Sequence, residues 1–377
     1  MTLHIFNPDH DLALASGLEN FTSPHAGRQL RHDLGWLPAL WAKEGDVVLV
    51  DDEEQVRKGE ARLARLFHSK KQTGQLEAQT ALLDRLTALF ESQSAQEDFS
   101  VEPWGWNMAL RSLLIRKGVK SEQLPTPQQL AVIRQLSHRR TSAHLLSQLH
   151  QTLHRPELTG EAEECHTMEE VELRLQKGEP LVLKAPWSSS GRGVRFVCGE
   201  LSDSNAGWLR NILANQGSVM VEPLYNKVKD FGMEFRSDGR GHISYMGLSL
   251  FHTHNGAYTG NLLATENHKR RVLSRYLPME LLDEVKQAIC LQLADILGHQ
   301  YTGLFGIDMM IVTTRQSSSF ILHPCVEINL RRTMGHVALR LTEILNPQED
   351  DDLVSVMRIA YEDNTYKLRI QRCPVSE

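Results

Sequence analysis

Five consecutive residues, Glu327-Ile328-Asn329-Leu330-Arg331, alternate polar with apolar groups. Side chains of a strand point to opposite faces in turn, so Glu327, Asn329 and Arg331 share one face, while Val326, Ile328 and Leu330 share the other. Water on the polar face is the ordinary reason for such a pattern. The preceding apolar stretch, Leu304 to Val312, argues for more, because it carries one acid, Asp308. A lone buried carboxylate is costly. A second one opposite it on a paired strand is worse, unless a cation lies between them. The carboxylates of Asp308 and Glu327 with the amide oxygen of Asn329 make a hard-oxygen set suited to Mg²⁺, which takes few protein ligands and leaves room for phosphates. Arg331 is then placed to hold a phosphoryl oxygen or a substrate carboxylate.

Two further constellations lie upstream. Lys184-Ala-Pro-Trp-Ser188-Ser189-Ser190-Gly191-Arg192-Gly193 puts a lysine at the end of an apolar run, followed by hydroxyls and glycines. Glycines let backbone N–H groups converge on an anion, and serines add donors. The lysine precedes the glycines, so this is not the G-x-x-x-x-G-K-[ST] phosphate loop; a solvated loop is the bland alternative. Met220-Val-Glu222-Pro223 ends another apolar run in a carboxylate, with Asp230 downstream. Glu222 could face an adenine amino group and Asp230 a ribose hydroxyl, although a carboxylate after a strand is usually a solvated end.

The elements that must position these groups are legible in outline. Strands are expected at Leu3 to Phe6 and Asp46 to Val50, a helical pattern from Gln55 to Ser92 with a break at Gly74, and a helix opened by Trp104-Gly-Trp106-Asn and ended by Gly118. Leu124-Pro-Thr126-Pro127 reads as a linker, with Thr126 capping a helix begun by Pro127. Beyond it come a helix over Ser142 to Gln151, strands at Leu181 to Lys184, Ser218 to Val221 and Ile243 to Leu250, and a long helix from Met279 to Leu297. Strands at Leu304 to Val312 and Phe320 to Leu330 follow.

Taken together and in this order, the constellations resemble the ATP-grasp superfamily, which includes biotin carboxylase and D-alanine–D-alanine ligase. Its pattern is a strand lysine and Gly-rich loop, a hinge glutamate, an acid on one strand and E-x-N-x-R on the next. The resemblance covers roughly residues 124 to 345. It implies an α/β chain with an N-terminal α/β pre-ATP-grasp domain (1–123), a two-lobed ATP-grasp domain of α+β type (124–345), and a C-terminal extension packed on it (346–377). It further implies Mg·ATP as cofactor, Lys184 on the ATP phosphates, and Glu222 and Asp230 toward adenine and ribose. Asp308, Glu327 and Asn329 would hold Mg²⁺, with Arg331 on the acyl phosphate. The upstream phosphate-binding lysine of the family is missing; Arg139 or Arg140 stands in its place. The implied reaction activates a substrate carboxylate, of a small molecule or a peptide, for attack by an amine. A phosphotransferase and an idle nucleotide-binding protein are the competing classes. Dimers are common in the superfamily, so a homodimer is among the expected assemblies.

Composition narrows the rest. A length of 377 residues with 41% apolar content supplies more than one core, and a net charge of −6 disfavours non-specific nucleic-acid binding. No apolar run is long enough to span a membrane. The start Met1-Thr-Leu-His-Ile-Phe lacks signal-peptide character, and the five cysteines show no C-x-x-C spacing. A reducing, cytoplasmic location is the expectation. Weaker signals remain. Asn7-Pro-Asp-His10-Asp11 follows the first strand, where α/β folds place ligand loops; a capped turn is the plainer reading. Trp104 and Trp106 read as packing residues, His323 and Cys325 as site lining, and Lys269-Arg270-Arg271 as a solvated basic patch. His252-Thr-His254 reads as part of a substrate-facing loop rather than a metal site, and His336 as a helix-start residue or a local acid/base.

Overall fold

The computed structural model describes residues 1–66, 75–78, 99–188, 193–254, 257–313, 319–347 and 353–374. The chain divides into two compact units: Met1–Arg134 with Leu262–Ala264 and Arg331–Glu377, and Gln135–Asn261 with Thr265–Leu330. The division differs from the boundaries expected at 123/124 and 345/346, since everything after Leu330 groups with the N-terminal residues.

The first unit is built on a parallel sheet. Thr2–Ile5 lies between Val47–Val50 and Ser100–Pro103, and Gln75–Ala78 extends the sheet beyond Val47–Val50. Leu3, Ile5 and Val47 pack with Leu110, Leu114 and Val119 in the core. The second and third strands lie to one side of the first and the fourth lies to the other. In such sheets the crevice beyond the carboxyl ends of the strands where the order reverses is the usual ligand position. The loops that meet there follow Ile5 and Pro103, and they carry Asn7 to Asp11 and Trp104 to Asn107.

The helical pattern expected from Gln55 to Ser92 is corrected in part. Glu53–Leu66 is a helix, but Gln75–Ala78 is a strand paired with Val47–Val50. Leucines near helical spacing also suit a buried strand, and an available parallel edge decides between them. The rest of that stretch lies outside the described residues. The strand Ser100–Pro103 was not foreseen either. Its Ser-Val-Glu-Pro is short and ends in proline, a weak signal by itself. The helix expected to open at Trp104 begins at Met108, where Asn107 caps it by accepting from the Leu110 N–H. Thr126 and Gln129 exchange the two bonds of a capping box ahead of the helix at Pro127. At the end of the chain, Leu353–Glu362 and Thr365–Pro374 form a hairpin, with Asp363 and Asn364 at positive φ in its two-residue turn. The hairpin joins the first unit through the Tyr366 N–H, which donates to Asp33.

The second unit holds two antiparallel sheets of four strands each. In one, Leu181–Lys184 lies between Val194–Val197 and Val219–Pro223, with Glu163–Cys165 outside. Leu181, Leu183, Val219 and Val221 pack on Val171, Leu209 and Ile212 of the helices Met168–Leu175 and Asp203–Gln216. Alternation therefore sends Val182, Lys184, Met220 and Glu222 to the opposite face.

The other sheet runs Ile243–Ser249, Asn226–Asp238, Thr302–Thr313, Phe320–Asn329. Phe231, Met233, Phe235, Phe305, Ile307 and Ile328 are buried along it, with Phe235 stacked on Phe305 at 5.4 Å. The helices Arg139–Leu153 and Met279–Leu297 pack against this sheet. Its registers place two polar rows on one face: Ser249, Gly232, Asp308, Glu327, and beside it Gly247, Glu234, Gly306, Asn329. Glycines alternate with the acids, so much of this floor carries no side chain.

Candidate active site

Asp308 and Glu327 are directly opposed across the pair Thr302–Thr313 and Phe320–Asn329. Asn329 lies one step along the same face and donates through Nδ2 to Asp308 Oδ2 at 3.2 Å. That bond ties Asn329 to Asp308 on the face that carries the acids. Two carboxylates and an amide oxygen fit Mg²⁺, which binds oxygen and keeps several non-protein ligands. Among the described residues no three His, Cys, Asp or Glu side chains gather as a cage for a softer metal.

The structure separates Arg139 from Arg140. The helix starts three residues before the expected Ser142, because His138 caps it by accepting the Arg140 N–H on Nδ1 at 3.0 Å. Arg139 is therefore the first helical residue and points inward, 7% exposed. Its guanidinium donates to Ala185 O, to Ser188 Oγ at 2.8 Å and to Glu327 Oε1 at 2.7 Å. One side chain thus ties the strand–loop junction after Lys184 to the acidic row. Arg140 is half exposed, with its nearest carboxylate, Glu164, at 3.9 Å.

Lys184 Nζ lies 2.5 Å from Glu222 Oε2, and both side chains are buried. They sit diagonally on adjacent strands, since Val182 opposes Glu222 and Lys184 opposes Met220. The segment after Lys184 is a hairpin closed by the Ala185 N–H donating to Gly193 O at 2.8 Å. A Cβ at Gly193 would meet Ser188 at 2.2 Å, so the neck requires glycine. Ser189, Ser190, Gly191 and Arg192 lie outside the described residues. Asp230 accepts from Lys227 Nζ at 2.6 Å and from Thr253 Oγ1 at 2.5 Å, on the face that carries the acids.

Glu234 was missed by sequence reading. It is buried and shares Gly306 as register partner with Asn329. Burial first, then the Glu234 charge, pushes the Tyr258 phenol far up. The signal was present as one acid inside the apolar run Phe231 to Phe235, the same kind of signal that revealed Asp308.

Several lesser expectations are corrected or located. Lys269 is buried and donates to Leu248 O at 2.8 Å, and Arg270 grips Asp283, so of the three expected in a solvated patch only Arg271 is exposed. His336 is the third residue of its helix and completes a capping box with Thr333. His323 is buried with neither ring nitrogen hydrogen-bonded, and burial followed by the Lys184 charge pulls it down to about 3. The Cys325 thiol is pushed well up, by burial and then by Glu222 and Asp308. His252 is exposed on the strand Phe251–His254, and Asn255 and Gly256 lie outside the described residues. Trp104 packs edge-on against Phe6 at 4.9 Å.

Arg331 is not on the strand. The strand ends at Asn329, and Arg331 belongs to the first unit, where it pairs with Asp11 at 2.8 Å. Beneath Asp11 lies His10, fully buried. Asn107 uses its oxygen to cap the helix at Leu110, so its Nδ2 is the atom 3.2 Å from His10 Nδ1, which accepts there. Burial pulls His10 down to about 4, against the pull of Asp11 and with the push of Arg331. The ring is neutral in the folded chain at pH values where an unfolded histidine, titrating near 6.5, is charged. The stability this confers is present above about pH 6.5 and is lost as pH falls toward about 4, by up to about 3 kcal/mol. Urea midpoints across that window should fall in the wild type and fall less in His10→Gln; an equally steep variant removes His10 as the cause.

No family model and no curated protein matches this chain. Solved structures do. It is similar to N5-carboxyaminoimidazole synthetase from Staphylococcus aureus in complex with ADP, at 12% identity and a TM-score of 0.47 over 95% of this chain and 82% of that one. Biotin carboxylase from Campylobacter jejuni, in a β,γ-ATP complex, gives 12% and 0.48, covering 95% and 75%. L-amino acid ligase from Bacillus licheniformis gives 11% and 0.44, covering 95% and 80%. Identities this low do not carry a reaction from those proteins to this one.

Proposed function

We propose that the chain is an ATP-grasp-type ligase that uses Mg·ATP to activate a carboxylate as an acyl phosphate for attack by an amine or similar nucleophile. The observation that carries this reading is the gathering, within one unit, of the buried Lys184–Glu222 pair and the opposed acids Asp308 and Glu327, with Arg139 reaching from Ser188 to Glu327. A structural role alone gives little reason to gather so many charged groups, three of them buried, in one region.

In this reading Lys184 and Arg139 hold phosphate oxygens, with Ser188 to Gly193 as further phosphate ligands. Arg139 takes the place of the family's upstream lysine; its planar fork can serve two oxygens at once. Glu222 faces the adenine and Asp230 the ribose. Asp308, Glu327 and Asn329 would hold Mg²⁺, which when bound neutralises the phosphate oxygens and steadies charge as it moves. The chain's own part is positioning and charge neutralisation rather than covalent chemistry.

Calorimetric titration with a non-hydrolysable ATP analogue, with and without Mg²⁺, tests the nucleotide site. Mg²⁺-dependent binding by the wild type, followed by ADP release that needs both an acid and an amine, is the expected result. A folded wild type that binds no nucleotide sinks the reading. A stable phosphorylated product from a single acceptor would make the chain a phosphotransferase.

A further inference from the structure

Arg139 joins the two sheets of the second unit through its backbone as well as its side chain. Its N–H donates to Pro186 O at 3.2 Å and its guanidinium to Ala185 O and Ser188 Oγ, all just beyond the strand Leu181–Lys184. Three residues along the same helix, Ser142 Oγ accepts the Ile328 N–H at 2.9 Å, which fixes the helix to the strand that carries Glu327. The 2.7 Å bond from Arg139 Nη2 to Glu327 Oε1 therefore connects two anchored elements, and the packing of helix on sheet sets its geometry. Arg139 is 7% exposed, and its Nε is buried with no hydrogen-bond partner among the described residues. Glu327 is more open, with 28% of its side chain exposed. Lys184, by contrast, is turned to Glu222. A fixed and largely desolvated positive charge thus lies against one of the carboxylates assigned to the cation.

We infer that Arg139 governs how the acidic row takes its cation: it opposes a divalent ion that arrives alone and admits one that arrives with phosphates. The inference rests on the ligase reading, which supplies both the ion and the phosphates. The argument is a balance of charges. A guanidinium bonded to Glu327 offsets much of that carboxylate's charge and repels a dication brought beside it, and burial leaves the repulsion weakly screened. Phosphate oxygens reverse the sign, because the same guanidinium then has an anion to meet. The competing arrangement has Arg139 steady Glu327 for the cation, as hydrogen bonds to a ligating carboxylate commonly do. The two arrangements predict opposite signs for metal binding once the guanidinium is removed.

Mn²⁺ is the probe, an oxygen-seeking stand-in for Mg²⁺ whose unbound fraction is read by paramagnetic resonance. It is titrated into the full-length protein, alone and with a non-hydrolysable ATP analogue. Arg139→Met is expected to bind Mn²⁺ alone about tenfold more tightly than the wild type, and the analogue with Mn²⁺ about tenfold more weakly. Damage to the fold would weaken both. Arg139→Gln keeps a donor for Ala185 O but removes the charge, and is expected to show the same two signs, so the test does not hang on one variant folding. Adding Glu327→Gln to either variant is expected to abolish the gain in Mn²⁺ binding. Mn²⁺ alone bound no more tightly by the folded variants overturns the inference, as does undiminished binding of the analogue. A gain that survives Glu327→Gln overturns it too, since the ion then sits elsewhere. A folded wild type that binds no analogue overturns the ligase reading itself, and the inference with it.

Discussion

Replacing Glu327 by glutamine is expected to lower Mg²⁺-dependent ADP release about 100-fold or more in a protein that remains folded. Glutamine keeps the side chain's length and an oxygen for Arg139, which now donates to Glu327 at 2.7 Å, but it removes the charge opposite Asp308. The folding cost is small, about 1 kcal/mol, because Arg139 retains Ala185 O and Ser188 Oγ as acceptors and Glu327 is partly solvated. The catalytic cost is larger. A group that stabilises charge developing at the transition state is worth about 3 kcal/mol there, which is the factor of about 100. ADP release over a panel of acids and amines, beside the urea midpoint of the same protein, measures both terms. A variant with full turnover would remove Asp308, Glu327 and Asn329 from the metal role. A variant that unfolds would make Glu327 a structural counter-ion of Arg139.

The parts of this site that were legible before any coordinates were those written in strand alternation. An acid in an otherwise apolar strand forces the question of what neutralises it, and two such strands in succession drew attention to Asp308 and Glu327, which the register sets opposite one another. The same rule would have found Glu234, had the run Phe231 to Phe235 been read as a strand. Arg331 was misplaced because alternation was carried two residues past the strand's end. The chain turns there, and anchors supplied by Asp11 and Trp104 decide where the side chain goes. Asp11 lies 320 residues away in sequence, so no local pattern announces the pair. Arg139 and Arg140 could not be told apart for the opposite reason: both are adjacent at a helix start, and only the cap formed by His138 turns one inward. The strands Gln75–Ala78 and Ser100–Pro103 escaped notice because each is short and its order comes from neighbouring edges. Sequence signals that depend on burial survived; those that depend on a distant partner did not.

Breaking the Lys184–Glu222 pair from one side is expected to be the most damaging change to the second unit, about 3–5 kcal/mol for Lys184→Met or Glu222→Gln. The side chains are only 11% and 7% exposed. Loss of the carboxylate strands an ammonium in the interior near His323, whose two ring nitrogens already lack partners and whose protonation the Lys184 charge opposes. Loss of the ammonium leaves Glu222 uncompensated on the same face as Val182 and Met220. Removing both charges together is a different experiment. In Lys184→Met/Glu222→Leu the desolvation cost disappears with the attraction, and apolar side chains of similar volume fill the space. Urea midpoints should therefore return to within about 1 kcal/mol of wild type or rise above it. A pair kept for stability alone would leave nucleotide binding intact in that double variant. A pair kept to hold phosphate and adenine predicts a stable protein that no longer binds the Mg·ATP analogue in the calorimeter. Wild-type affinity in the stable double variant would reduce the pair to packing and leave the phosphates to Arg139 and the residues from Ser188 to Gly193. Loss of binding in a protein as stable as the wild type would show that the interior bears the cost of two buried charges for the ligand rather than for the fold.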